Sequence, residues 1–198
     1  MRIGVLALQG AFIEHIGVMQ QLGAEASPVR LPGELNGLDG LIIPGGESTT
    51  MLNLMQSFDL LRPLRELAQA GFPLLGTCAG MICLAKKAYD FNNTDIETLA
   101  LMDIEVRRNA FGRQVDSFET KLAVPALGHE SFPAVFIRAP IVDRTGPQVE
   151  ILAKLPNDVV VAARQGKLVV TAFHPELTDD LRLHSYFLKI VTSLDEKG

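Results

Sequence analysis

The pentapeptide Gly76-Thr77-Cys78-Ala79-Gly80 has the form Gly-x-Cys-x-Gly and falls between an apolar run and an apolar helical pattern. That is the layout of a nucleophile elbow with sulfur in place of oxygen. The two glycines remove side chains that would clash in so sharp a turn. The cysteine then lands at a helix N-terminus, where free N–H groups and the helix dipole favour a thiolate. A buried, inert cysteine in a tight turn would satisfy the same five residues, so a base must be found. Cys83, further along the helical pattern, has none of these features and reads as core. Among the histidines, His174 directly follows the apolar run Leu168 to Phe173. That puts it at the carboxyl end of a strand, the edge where open α/β folds place their ligands. Pro175 stiffens the turn, and Glu176 can curl back to orient the imidazole and stabilise its cation. His15 and His184 lie in helical patterns and His129 in a polar stretch, so these three read as structural or surface positions.

A third element, Pro44-Gly45-Gly46-Glu47-Ser48-Thr49, again follows an apolar run and opens a helix. Paired glycines let backbone N–H groups approach a ligand closely, as an oxyanion hole requires, and Ser48 or Thr49 can cap the helix. There is no Lys where a phosphate-binding loop would place one. Arg107 to Gln114 and Phe136 to Pro140 each set an arginine beside a strand end, where it could hold a carboxylate bidentately. Taken singly, such arginines are ordinary surface charge.

The elements that must position these residues alternate. Ile3 to Leu8 is a continuous apolar run, followed by Phe12, Ile16 and Met19 at helical spacing and ended by Gly23. The same order recurs from Gly40 to Pro44 into Ser48 to Ser57, and from Phe72 to Thr77 into Ala79 to about Lys86. Strands apolar on both faces, alternating with helices, predict a parallel sheet covered on both sides. Beyond Leu99 the strand-like pieces are short: Met102 to Arg107, Val135 to Ile137, Val149 to Leu152, Val159 to Ala163 and Leu168 to Ala172. They predict a mixed or antiparallel extension of the sheet. A last amphipathic helix, with Asp179 and Asp180 in its first turn and Leu183, Phe187, Ile190, Val191 and Leu194 on one stripe, caps the sheet.

The chain has 198 residues, 47% of them apolar and 21% charged, with a net charge of −5 and no block of like charge. One domain spanning 1–198 is expected, since no linker divides it. The charge argues against nucleic acid or an anionic membrane as partner. The longest mostly apolar stretch, Pro73 to Ala85, falls short of the roughly 18 to 20 residues of a spanning helix. The N-terminal run is too short and too polar for a secretory signal, which predicts a cytosolic protein. The two cysteines lack metal-ligand spacing, so neither a zinc site nor a disulfide scaffold is expected.

Together these elements resemble the class I, triad-type glutamine amidotransferases, and within them the glutaminase subunits of pyridoxal 5′-phosphate synthase, the PdxT family. The resemblance rests on GVLALQG from Gly4 to Gly10, PGGEST from Pro44 to Thr49 and GTCAG from Gly76 to Gly80. It continues with RNAFGRQ from Arg108 to Gln114 with Ser117-Phe118 after it, FIRAP from Phe136 to Pro140 and FHPEL from Phe173 to Leu177. GTCAG and HPE are shared with other triad glutaminases, whereas GVLALQG, RNAFGRQ and FIRAP are more specific. The resemblance implies a flavodoxin-like, three-layer αβα fold with a central, mostly parallel mixed sheet, and hydrolysis of L-glutamine to L-glutamate and ammonia. It implies Cys78 as nucleophile, His174 as proton shuttle and Glu176 as its orienter. Gly46, Glu47, Ser48, Arg108, Ile137 and Arg138 would line the glutamine site. The oxyanion would meet N–H groups near Gly46 and at Ala79, with Gln9 near the oxyanion loop and the partner contact. Ammonia would pass to a separate, oligomeric (β/α)₈-barrel synthase subunit that makes pyridoxal 5′-phosphate. No metal or cofactor is implied. Wasteful hydrolysis is avoided if docking completes the oxyanion hole, which points to the Gly45-Gly46 peptide as the gated element.

Three other readings use the same residues. A glutaminase subunit of another synthase, such as imidazole glycerol phosphate synthase, would keep Cys78 and His174 and change only the partner. A cysteine peptidase or chaperone-like hydrolase would also use an elbow cysteine, but the His-Pro-Glu placement and RNAFGRQ argue against it. A binding module that had lost turnover would commonly lack one of Cys78, His174 and Glu176, and all three are present.

Overall fold

The computed structural model describes residues 1–110 and 117–193. Its first half is built from strand–helix units. Ile3, Val5 and Leu6 are wholly buried in β1 (Arg2–Leu6), and α1 (Phe12–Gln21) turns His15, Val18 and Met19 inward. Nothing in the hydrophobic pattern announces β2 (Glu25–Val29), because four of its five residues are exposed or half-buried. It lies at the sheet edge beside β1, where Pro28 is tolerated. The runs read as strand and helix become β3 (Gly40–Ile43) and α2 (Ser48–Ser57). A further helix, α3 (Leu61–Gln69), buries only Leu64 and so leaves too thin an apolar stripe to read. The elbow joins β4 (Leu74–Thr77) to α4 (Ala79–Leu84). That helix stops short of Lys86, because the chain passes at Ala85 straight into β5 (Ala85–Tyr89).

The second half adds β6 (Asp95–Ile96), β7 (Met102–Arg107), β8 (Ser117–Leu122), β9 (Phe132–Ile137) and β10 (Ile141–Thr145). After β11 (Glu150–Lys154), β12 (Val160–Gln165) and β13 (Leu168–Thr171), α5 (Arg182–Thr192) closes the described chain. Asp179 and Asp180 precede α5 rather than forming its first turn, and the Asp180 carboxylate accepts from Arg182 N at 3.0 Å. Leu183, Phe187 and Ile190 are buried as the stripe requires, and Leu194 lies outside the described residues.

Among the described residues eleven strands form one mixed sheet, in the order β2-β1-β3-β4-β13-β12-β10-β7-β5-β6, with β11 beside β12. The block from β2 to β13 is parallel throughout. From β13 outward the extension runs antiparallel through β12, β10 and β7, with β5 parallel to β7. One expectation is corrected: Val135 to Ile137 belongs to β9, which pairs with β8 in a separate two-stranded sheet. Alternating burial along β9 marks a strand with one covered face, unlike the fully buried β3 and β4.

Side-chain alternation along β4 shows that helices cover both faces. A Cβ on Gly76 would meet Gly80 and Leu84 of α4, whereas the Thr77 hydroxyl, on the opposite face, lies 3.2 Å from His15 of α1. At the far end of β3, a Cβ on Gly40 would meet Val191 and Phe187 of α5. No described helix is long and apolar enough to cross a membrane.

Candidate active site

Four neighbouring parallel strands, β1, β3, β4 and β13, end on one edge of the sheet, and the segment after each contributes to one cleft. These segments carry Gln9, Gly45 to Ser48, Cys78, and His174 to Glu176. Cys78 sits at the N-cap of α4 with φ 49° and ψ −102°, a conformation that L-residues adopt at a cost of about 1–3 kcal/mol. Its surroundings leave no alternative. Cys78 N donates to Thr171 O at 2.7 Å, and α4 lies so close to β3 that a Cβ on Gly80 would stand 2.1 Å from the Ile43 carbonyl oxygen. The glycines of the elbow therefore permit close packing of helix on sheet. Cys78 Sγ is 3.8 Å from the Ile137 carbonyl oxygen.

His174 is tied down at both ends. Its backbone N–H donates to Val135 O at 2.8 Å, and its Nδ1 lies 2.7 Å from Oε1 of Glu176 on the short 3₁₀ turn Pro175–Leu177. With Nδ1 engaged, Nε2 remains to serve Cys78. Burial disfavours the imidazolium, but hydrogen bonds to Cys78 and Glu176 and the charges of both outweigh it, raising the His174 pKa to about 10. The Glu176 side chain has no solvent exposure, so its carboxylate acts on His174 without screening by water.

On the opposite wall, the residue that caps α2 is Glu47, not Ser48 or Thr49. Its carboxylate accepts from Thr49 N at 3.1 Å and from Thr50 N and Oγ1, each at 2.7 Å. Burial pushes the Glu47 pKa up; these bonds and the Arg108 cation, whose Nη1 is 3.1 Å away, bring it below the usual value. Arg108 also donates to Thr49 Oγ1 at 3.0 Å. With its capping role taken, Ser48 keeps a buried hydroxyl that has no hydrogen-bond partner among the described residues. Gln9 Oε1 accepts from Glu47 N at 2.7 Å, folding its side chain over the Gly46–Glu47 peptide.

The cleft encloses a cavity of about 300 Å³. Its lining includes Gln9, Gly46, Glu47, Ser48, Cys78 and Ala79, together with Arg108, Ile137, Arg138 and His174. Gly45 and Glu176 stand behind this lining, under and beside the imidazole. Ile82 and Asn109 also line it and were not singled out from sequence. Asn109 adopts φ 52°, a conformation asparagine tolerates better than most residues. Phe111 to Gln114 of the RNAFGRQ run lie outside the described residues. His129 is exposed as expected, but His15 and His184 are fully buried on the side of the sheet that faces Glu176.

The SNO glutamine amidotransferase family matches residues 5–193. The chain belongs to that family. Among its relatives, the pyridoxal 5′-phosphate synthase subunit PdxT of Dehalococcoides mccartyi is 59% identical over 190 residues, covering 96% of this chain and 97% of the relative. The protein of the same name from Moorella thermoacetica is 56% identical, covering 96% and 100%. A crystal structure described as a glutamine amidotransferase matches this SNO-family chain with a TM-score of 0.89 and 47% identity, covering 96% of this chain and 99% of that one. A chain from the structure of PurLQS from Thermotoga maritima shares the fold at a TM-score of 0.68 and 14% identity. The class I glutamine amidotransferase-like, mixed α/β architecture expected from sequence is thus the one observed.

Proposed function

We infer that this chain is the glutaminase subunit of pyridoxal 5′-phosphate synthase, hydrolysing L-glutamine to L-glutamate and ammonia for vitamin B6 synthesis. The observation that carries the reading is the elbow cysteine beside an imidazole anchored by a buried carboxylate, in a chain 59% identical to a PdxT subunit. The proton of Cys78 already rests on His174 Nε2 at neutral pH, and the thiolate adds to the side-chain amide carbon of glutamine. The resulting oxyanion is met by the N–H groups of Gly46 and Ala79, the latter free because the first N–H groups of a helix have no intrahelical partner. His174 then protonates the departing nitrogen, which leaves as ammonia, and a thioester to Cys78 remains. Water, deprotonated by His174, attacks that thioester, and glutamate departs, leaving thiolate and imidazolium paired again. Glu176 orients His174 and stabilises its cation throughout.

The α-ammonium and α-carboxylate of glutamine lie against the lining formed by Glu47, Ser48, Arg108, Ile137 and Arg138, with the Ser48 hydroxyl as an unused polar group for the substrate. Gln9, hydrogen-bonded to Glu47 N, couples the oxyanion loop to the surface that meets the barrel subunit. That (β/α)₈ subunit receives the ammonia. We place the work in the cytosol, where a thiol nucleophile stays reduced, and read residues 1–198 as one glutaminase domain. The test is glutamate release by the purified chain, alone and with the barrel subunit, against Cys78→Ala. Low release alone, several-fold stimulation by the partner and none in the variant are expected. Glutaminase activity indifferent to the partner would refute the pathway assignment.

A further inference from the structure

The two carboxylate oxygens of Glu176 have unequal surroundings. Oε1 meets His174 Nδ1 at 2.7 Å, whereas Oε2 is buried and makes no hydrogen bond within ordinary geometry among the described residues. Leaving a buried acceptor unmet is costly, and more so when it is charged. Over Oε2 stands the imidazole of His15, its Nε2 at 3.4 Å from the oxygen and 3.2 Å from Thr77 Oγ1. Contacts of this length are common in resting sites and tighten in the working complex. On its other side His15 Nδ1 lies 2.9 Å from His184 Nε2, with both side chains sealed from solvent.

Counting protons selects one arrangement. Burial, with smaller contributions from the charges of His184 and His174, holds His15 well below the ordinary histidine range, and burial lowers His184 to about 4. Both rings are therefore neutral at neutral pH, and a single proton lies between His15 Nδ1 and His184 Nε2. Were it on His15, the bare Nε2 lone pair would face the Oε2 charge, and His184 Nδ1, which has no partner among the described residues, would carry a buried N–H with no acceptor there. With the proton on His184 Nε2, that N–H donates to His15 Nδ1, and His15 Nε2–H is turned to Thr77 Oγ1 at 3.2 Å with Glu176 Oε2 beside it at 3.4 Å, so the groups left unmet in this cluster are acceptors and no buried N–H is orphaned. Orphaned buried N–H groups are the rarer defect, so the second arrangement holds.

We propose that His15 is a positioning residue for the glutaminase reaction: its neutral Nε2–H, fixed in tautomer by His184, holds Oε2 of Glu176 so that Oε1 keeps His174 aimed at Cys78. A carboxylate anchored at one oxygen can swing as His174 gains and loses its proton; one anchored at both cannot. A neutral donor does this without cancelling the charge that stabilises the imidazolium, as a lysine or arginine would. The groups facing Glu176 are His174 from its own turn, His15 from α1 backed by His184 from α5, and Thr77 from β4.

The proposal rests on the glutaminase reading, and the test separates the two. In the complex with the barrel subunit, glutamate release is measured against pH for wild type, His15→Leu, His15→Gln and His184→Leu, with Cys78→Ala as blank and a thermal melt for each. Loss of the donor in His15→Leu should lower kcat about ten-fold or more with KM for glutamine nearly unchanged. The acidic limb of kcat/KM should move to higher pH, because a carboxylate no longer held at both oxygens stabilises the His174 cation, and with it the Cys78 thiolate, less. In His15→Gln an amide N–H stands near the place of Nε2, so most of kcat and the wild-type limb should return. In His184→Leu, which keeps His15 but frees its tautomer, a smaller shift of the same sign is expected, and this variant decides the matter if His15→Leu does not fold. An unmoved limb in His184→Leu, or equal losses in His15→Leu and His15→Gln with unmoved limbs, would overturn the proposal. A wild-type complex no more active than the Cys78→Ala blank would overturn both readings together.

Discussion

Gly45 is the floor on which the imidazole of His174 rests, and adding one methyl group there should disable the site without unfolding the protein. A Cβ at Gly45 would stand 2.3 Å from His174 Cε1, 2.9 Å from its Nδ1 and 3.4 Å from Cys78 Cβ. The backbone of Gly45 lies outside the left-handed region, so alanine fits the chain and only the contact with the ring is at issue. Restoring an ordinary separation requires the ring to retreat by about 1 Å, yet Nδ1 is held 2.7 Å from Glu176 Oε1. Misplacing a reacting group by that distance costs on the order of 100-fold in rate, about 2.7 kcal/mol of barrier. Gly45→Ala should therefore lower kcat about 100-fold in the complex with the barrel subunit. KM should change little, since Glu47, Ser48 and Arg108 are untouched. Overpacking of this kind costs about 1–3 kcal/mol, which for a chain of this size lowers the melting temperature by about 10 °C at most. Steady-state glutamate release and a thermal melt on the same preparation measure both quantities. A folded Gly45→Ala protein with kcat within about five-fold of wild type would refute the reasoning, because the imidazole would then not need that position.

Two further outcomes follow from buried groups. Folded His184 takes up a proton only near pH 4, while its unfolded counterpart does so near 6.5, so between these values the unfolded chain binds more protons. Stability is full above about pH 6.5 and falls as the pH drops toward 4, by about 3 kcal/mol from His184 alone; a melting temperature flat over that interval would contradict it. Burial, and after it the Glu47 charge, pushes the Cys83 thiol up to about 12, so iodoacetamide at neutral pH should modify native protein at Cys78 only. Mass-mapped labelling of Cys83 in native Cys78→Ala protein would refute that assignment.

Much of the cleft was legible because its residues follow apolar runs directly. Cys78 and His174 are placed by where β4 and β13 must end, and the glycines around Cys78 betray the turn between them. What lay hidden depends on contacts between distant segments. His15 falls four residues before Met19 on the inward stripe of α1, a hint of burial, but only the packing of α1 against α5 brings it to His184 and Glu176. The capping of α2 by Glu47 was missed because shorter side chains are the preferred caps; Arg108, sixty-one positions away, helps to hold the longer one in place. The edge strand β2 and the helix α3 were invisible because each buries a single residue fully. The helical pattern runs on through Ala85 and Lys86, the first two residues of β5, because alanine and lysine favour helices, and pairing with β7 overrides that preference.

The nucleophile and its base lie just past the ends of adjacent strands in fixed register, with Thr77 opposite Thr171, and Cys78 N bonded to the Thr171 carbonyl. Their separation is thus a property of the sheet ladder rather than of two independent loops. Pulling them apart means breaking the central pairing of the molecule, which opens only when the whole sheet does. Heat or denaturant should therefore leave no folded population with a loosened Cys–His pair: inactivation and loss of the sheet belong to one cooperative event, and residual turnover counts the molecules still folded.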